Sequence, residues 1–292
     1  MTSPSDPVSR PLLIIGTHRS GTTFLAHVIS QHPDIALAEE PRHIWAWGHN
    51  FNKDDVLTDK DATPRIARHV RKAFAKFLRA SGKPRLAEKT PSNCLRLPFI
   101  EAIYPDARYL HIYRDGRAVV RSTSEINTGR PDLIWIARRL LGTAPWEWPA
   151  FIPRAGRTLG RHLMGKKMTY WGPCPRGWKS WVEAGDPQAV ILAKQWRYTI
   201  EPVLDFRDAN QTKLNGRWMD LGYEDFMANP AERVRDILRF ADLPEDDAMV
   251  QYVTEKVDPT RQQKWKQELE AGELEDIRPI LEPMLERLGY QW

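Results

Sequence analysis

The sequence predicts an α/β fold of three layers, a central and mostly parallel sheet flanked by helices. Three observations carry this. An apolar run, Leu12 to Ile15, leads into a turn of small and polar residues, Gly16 to Gly21, and then into apolar residues at helical spacing, Phe24, Leu25, Val28 and Ile29. A second strand–turn–helix pattern spans Arg108 to Ser122. Elsewhere, short β-type runs alternate with amphipathic helical stretches, as crossover connections in a parallel sheet require.

The first unit makes the fold P-loop-like. A glycine-bounded loop that enters a helix points several backbone N–H groups at one anion, usually a phosphate. Gly16, Gly21 and Thr23 match the spacing of a Walker A loop, G-x-x-x-x-G-K-[ST]. Thr22 stands where that motif has lysine, and the cation within the loop is Arg19. The loop is therefore expected to hold a diphosphate-like group, while ATP or GTP hydrolysis is disfavoured. The bland alternative is a strand-to-helix turn without a ligand.

The other elements follow in order. Residues 1–10 are polar with two prolines and read as a disordered lead-in; residues 11–292 read as a single domain. Ile35 to Leu37 is a candidate strand that ends in Glu39-Glu40-Pro41, two acids where α/β proteins bind ligands. A solvated acidic turn is the competing reading. Thr63 caps an amphipathic helix to Ala80, with Pro64 at its first position. Arg85 to Ala87 is a short strand, after which Lys89 is a candidate site cation. A helix spans about Asn93 to Ile103. Arg108 to Tyr113 is a buried strand ending in Arg114, and Asp115 caps the helix that carries Ser122. Arg114 and Ser122 are placed to grip one phosphate together. Arg117 and Arg121 read as surface residues of that helix.

Residues 127–186 lose the α/β rhythm. They hold six tryptophans, among them Trp178 and Trp181, many arginines and six prolines. The segment reads as a short helix, Pro131 to Leu141, followed by a loop-rich insertion or lid on the acceptor side. Most of its tryptophans are expected to pin the segment to the core. Regular structure returns with a helix over Pro187 to Asp205, a strand over Arg217 to Leu221 and a turn at Tyr223. Helices over Pro230 to Phe240, Asp246 to Val257 and Leu274 to Leu288 complete the chain.

Composition narrows the function. The chain has 292 residues, a net charge of +5 and two cysteines, Cys94 and Cys174. That charge suits anionic ligands without implying nucleic acid. Two separated cysteines make neither a disulfide framework nor a zinc site, no histidine spacing suggests a metal, and a cytoplasmic location is expected. No run of about 18 apolar residues suggests a membrane span.

These residues resemble the sulfotransferases that use 3′-phosphoadenosine 5′-phosphosulfate (PAPS). GTHRSGTTFL from Gly16 is similar to that family's 5′-phosphosulfate loop, YLHIYRDGRAVVRS from Tyr109 to its 3′-phosphate site, and GYEDFMANPAERVRDILRFADLP to its late strand–turn–helix. The resemblance implies that Arg19, Ser20, Gly21, Thr22 and Thr23 hold the phosphosulfate. It implies that Arg114 and Ser122 hold the 3′-phosphate, that Tyr223 lies near the nucleotide, and that Arg261 and Lys264 close over it. The product is then adenosine 3′,5′-bisphosphate (PAP), with no metal. A Lys-Thr-His run supplies the base in one branch; here it is Lys89-Thr90-Pro91, without the histidine. Glu39-Glu40-Pro41-Arg42 is similar to the tyrosylprotein and heparan-type branch, whose register favours Glu40 over Glu39 as base.

The expected reaction is sulfonate transfer to a hydroxyl of a carbohydrate, glycolipid or other small molecule. Glu40 acts as base, with a pKa raised by desolvation, and Lys89 and Arg19 stabilise the leaving group. His18 and His43 are the reserve candidates for the base. The alternatives are a P-loop kinase or nucleotide hydrolase, and a non-catalytic polyanion-binding protein.

Overall fold

The computed structural model describes residues 8–126, 170, 172–257 and 269–292. Its central strand, β1 (Leu12–Ile15), is buried along its whole length, as a strand covered on both faces must be. From there the chain runs through α1 (Thr22–Ser30), β2 (Ile35–Glu39), α2 (Arg42–Trp45), α3 (Pro64–Ser81) and β3 (Arg85–Lys89). It continues through α4 (Leu97–Ile103), β4 (Arg108–Tyr113) and α5 (Gly116–Ile126). The later described elements are α6 (Trp178–Glu183), α7 (Gln188–Ala209), β5 (Trp218–Gly222), α8 (Tyr223–Ala228), α9 (Pro230–Ala241), α10 (Asp247–Lys256) and α11 (Ala271–Arg287).

The five strands form one sheet in the order β2-β3-β1-β4-β5. Every pairing between them is parallel. Side-chain alternation along β1 builds the three layers. Leu13 and Ile15 enter a core with Phe74, Phe99 and Val203, while Leu12 and Ile14 enter one with Leu25, Phe226 and Ile237. A third cluster joins α5, α7 and α11 through Val119, Trp196 and Leu281.

Several boundaries differ from the sequence expectation. β2 and β3 run two residues further, because Ala38 and Glu39 pair with Glu88 and Lys89. Glu88 and Lys89 are thus strand residues, which hydrophobic patterning does not register. The helix expected from Asn93 is a 3-10 turn, Pro91–Leu95, and α4 begins only at Leu97. Tyr223 opens a helix instead of a turn. Thr63 does cap α3, accepting the Ile66 N–H at 3.5 Å. The Pro131 to Leu141 helix lies outside the described residues. No helix among the described residues is long and apolar enough to cross a membrane.

Candidate active site

β1 and β4 are neighbours on either side of the point where the strand order changes direction. The loops leaving their C-terminal ends therefore meet at the crevice where open α/β sheets bind ligands. The loop from Gly16 to Gly21 passes too close to its surroundings for larger residues. A Cβ on Gly16 would stand 2.5 Å from the Ile112 carbonyl oxygen, and one on Gly21 would stand 2.5 Å from the Tyr223 ring. Gly21 also has φ +90°. Gly21→Ala is expected to cost about 2–4 kcal/mol, the sum of a left-handed backbone and a forced shift of the tyrosine. The urea midpoint measures it, and an unchanged midpoint would contradict this geometry.

Arg19 also sits in the left-handed region, at φ 64°, a strained conformation for a non-glycine residue. It reaches across to α5, where its Nε donates to Ser122 Oγ at 3.0 Å. Arg114 Nη1 donates to the Arg19 carbonyl at 3.2 Å, and its guanidinium lies 4.4 Å from the centre of the Tyr223 ring. Arg19, Arg114, Ser122 and Tyr223, from four separate stretches of sequence, thus form one group. Partial desolvation, and then the Arg114 guanidinium, hold the Arg19 pKa below its ordinary value. The buried Arg114 Nε has no hydrogen-bond partner among the described residues. Ser20 and Thr22 are buried, and the Ser20 hydroxyl is bonded to that of Thr17.

The second group centres on Lys89. Alternation along β3 turns Lys89 toward α1 and Glu88 toward the opposite layer. Lys89 is 1% exposed, yet its ammonium meets three oxygens: Glu40 Oε1 at 3.0 Å, Thr23 Oγ1 at 3.1 Å and Glu39 Oε1 at 3.2 Å. Such a buried ammonium needs this pairing to persist. Glu40 has φ 49°. Its N–H donates to the Lys89 carbonyl at 2.8 Å, and its Oε2 accepts from Arg42 Nη2 at 3.1 Å. Both acids therefore touch Lys89, but only Glu40 is clamped between two cations.

The expectation that burial raises the Glu40 pKa is reversed. Burial does push it up, but Arg42 and then Lys89 push it down further, so its carboxyl lies below the usual glutamate value. His18 is buried, and burial followed by Arg19 and Arg42 pushes its pKa down to about 3. Burial also lowers that of His43.

Two charged residues escaped sequence reasoning. Glu88 is fully buried, accepts from Thr90 Oγ1 at 2.6 Å and Asn93 Nδ2 at 2.7 Å, and has its pKa pushed up to about 7, mainly by burial. Period-2 alternation through Lys89 would have revealed it. Arg117 is not a surface residue: it is 7% exposed and pairs with Asp115 through Nη2 at 2.8 Å. Asp115 does cap α5, accepting the Arg117 N–H at 2.9 Å.

Only part of the expected insertion lies within the described residues. There, the Trp178 indole donates to the Lys53 carbonyl at 3.1 Å and Trp181 stacks on Tyr198, so both serve to pin the segment. The Cys174 N–H donates to Asp55 Oδ2 at 2.8 Å, and Gln195 Nε2 to the Pro173 carbonyl at 3.0 Å. Arg261 and Lys264 lie outside the described residues.

The parallel sheet, the glycine loop and the cations at the strand ends define a P-loop-like α/β protein with a site for a phosphorylated ligand. The Sulfotransferase family model matches residues 11–134, which carry β1 to α5 and both groups of site residues except Tyr223. The chain belongs to the sulfotransferase family. It is 23% identical over 314 residues to a protein-tyrosine sulfotransferase of Drosophila melanogaster, covering 96% of this chain and 52% of that protein. It is 30% identical over 137 residues to the nodulation protein NoeE of Sinorhizobium fredii, covering 42% of this chain and 33% of that one. The chain thus spans about half, or less, of the length of these two relatives. In fold it is similar to the sulfotransferase domain of the curacin biosynthetic pathway, with a TM-score of 0.60 at 11% identity over 97% of this chain and 99% of that one. It is also similar to that of the Synechococcus PCC 7002 olefin synthase, with a TM-score of 0.57 at 16% identity over 100% and 98%.

Proposed function

We propose that the chain transfers a sulfonate group from PAPS to a hydroxyl of a carbohydrate, glycolipid or other small molecule. The observation that carries this reading is Lys89. One buried ammonium touches both Thr23 of the anion loop and the carboxylate of Glu40, at 3.1 and 3.0 Å. A group that neutralises a leaving phosphate is thereby set beside a group that accepts a proton.

The residues present suit such a donor. Arg19 and Arg114 face each other as like charges, and the buried Arg114 Nε lacks an acceptor among the described residues. An anion bound between them would relieve both. Residues Arg19 to Thr23 would hold the phosphosulfate end, Arg114 and Ser122 the 3′-phosphate, and Tyr223 would lie alongside. PAPS supplies the sulfonate and a stabilised leaving group. Glu40, ionised at neutral pH, takes the proton of the acceptor hydroxyl, while Lys89 and Arg19 offset the charge growing on the departing phosphate. Protein cations meet that charge, so the reading needs no metal. A cytoplasmic setting belongs to the proposal, in keeping with free thiols at Cys94 and Cys174.

A second acceptor, the hydroxyl of a peptide tyrosine, is favoured by the nearly full-length likeness to the fly protein-tyrosine sulfotransferase. Calorimetric titration without magnesium tests the donor. PAP is expected to bind at roughly micromolar Kd, and ADP and AMP about tenfold or more weaker. Equal binding of all three would return the chain to the kinase or hydrolase reading. A panel of sugars, glycolipids, small phenols and tyrosine peptides, offered with labelled donor, then separates the acceptors.

A further inference from the structure

The turn between β4 and α5 carries Arg114, and it is braced from behind by Tyr290, Gln291 and Trp292. Two separate threads make the brace. In the first, Arg117 Nη2 donates to the Gln291 carbonyl at 2.9 Å while its guanidinium lies 5.1 Å from the centre of the Trp292 ring. The same guanidinium holds Asp115, whose carboxylate caps α5. The other side of the brace is fixed to α11, where Arg278 lies 5.5 Å from the Trp292 ring. In the second thread, the Tyr290 hydroxyl donates to Glu224 Oε2 at 2.5 Å, and the Asp115 N–H points to Glu224 Oε1 at 3.5 Å. Glu224 adjoins Tyr223, the ring on which Arg114 rests. Tyr290 also packs edge-on against Tyr113, the last residue of β4, with ring centres 6.1 Å apart.

Each support of Arg114 therefore leads to the same three residues. The turn behind it is held through Arg117, and the ring beneath it through Glu224. A charge-assisted hydrogen bond and a cation–π contact of this kind are each worth more out of water than on an open surface. None of the three residues reaches the loop from Gly16 to Gly21, so their effect falls on one end of the crevice.

We propose that Tyr290, Gln291 and Trp292 are positioning residues that set the Arg114 turn, and with it the preference for a nucleotide bearing a 3′-phosphate. This rests on the reading of Arg114 and Ser122 as the 3′-phosphate site. The test measures Kd for PAP and for ADP by calorimetry on the full chain, in the wild type, in Tyr290→Phe/Trp292→Ala and in Trp292→Phe. The double variant is expected to lose about tenfold of its PAP-over-ADP preference, with ADP affinity changed by less than about threefold. Trp292→Phe keeps a ring beneath Arg117 and is expected to keep most of the preference. Tyr290→Phe alone removes one hydroxyl and is expected to lose about threefold; it carries the test if the double variant does not fold. An unchanged preference overturns the inference, and so does equal weakening of both nucleotides, which is what general loosening would give. A wild type without preference overturns the reading of Arg114 and Ser122 before any variant is made.

Discussion

Glu40→Gln removes nearly all sulfonate transfer and leaves nucleotide binding in place. The expected loss in kcat is about 10²–10⁴-fold, or about 3–5 kcal/mol of transition-state stabilisation, the usual contribution of a positioned general base. Glutamine cannot take the acceptor's proton, but its carbonyl oxygen can still accept from Lys89. The lysine also keeps Glu39 at 3.2 Å, so its buried charge stays paired and the loop keeps its shape. Glu39→Gln is the control. Glu39 is 40% exposed and shared with His27, so its loss is expected to change turnover only a few-fold. A turnover in Glu40→Gln close to wild type would exclude Glu40 as base. His18, uncharged at neutral pH with its pKa near 3, would then be the next group to test.

The lowered Glu40 pKa also fixes the sign of the pH dependence. A carboxyl held below its ordinary value of 4.5 by Arg42 and Lys89 is already ionised at neutral pH. Protonation of Glu40 therefore cuts the rate only below about pH 4.5, and no loss from this group is expected between pH 7 and 5. The reactivity of such a weak base comes from its placement, which the strained φ of 49° and the two cations enforce.

The parts of this site that could be read from sequence are those with a local signature. The glycine spacing of the loop, the apolar run before it and the arginine ending a buried strand each follow from a short-range rule. Structure placed Arg19, Arg114, Ser122 and Tyr223 together as the resemblance implied. The parts that stayed hidden depend on long-range pairing. Lys89 and Glu88 look like the polar end of a strand until β2 pairs alongside them and buries both. Arg117 looks solvent-facing on its helix, because its partners Gln291 and Trp292 lie far along the chain. The sign of the Glu40 shift was misjudged for the same reason: its two cations outweigh burial, and one of them, Lys89, comes from a strand distant in sequence.

Lys89→Met tests whether that pairing is structural, chemical or both, and a second substitution separates the two. Loss of the ammonium leaves Glu40 with Arg42 as its only printed cation contact and Glu39 with His27. Breaking a buried pair from one side typically costs about 3–5 kcal/mol, because the remaining charge has lost its counter-charge. Glu40 and Glu39 are partly exposed, so the lower end, about 3 kcal/mol, is expected from urea unfolding at pH 7. Turnover is expected to fall about 10²–10³-fold as well, since nothing then offsets the charge on the leaving phosphate beside Thr23. Adding Glu40→Gln to Lys89→Met removes one of the stranded charges. Stability is expected to return by about 1–2 kcal/mol, while activity stays at the level of the single variants or below. A double variant no more stable than Lys89→Met would show that the two residues are not coupled in the fold. Turnover preserved in Lys89→Met would show that the lysine serves the fold alone, and the charge on the departing phosphate would then rest on Arg19.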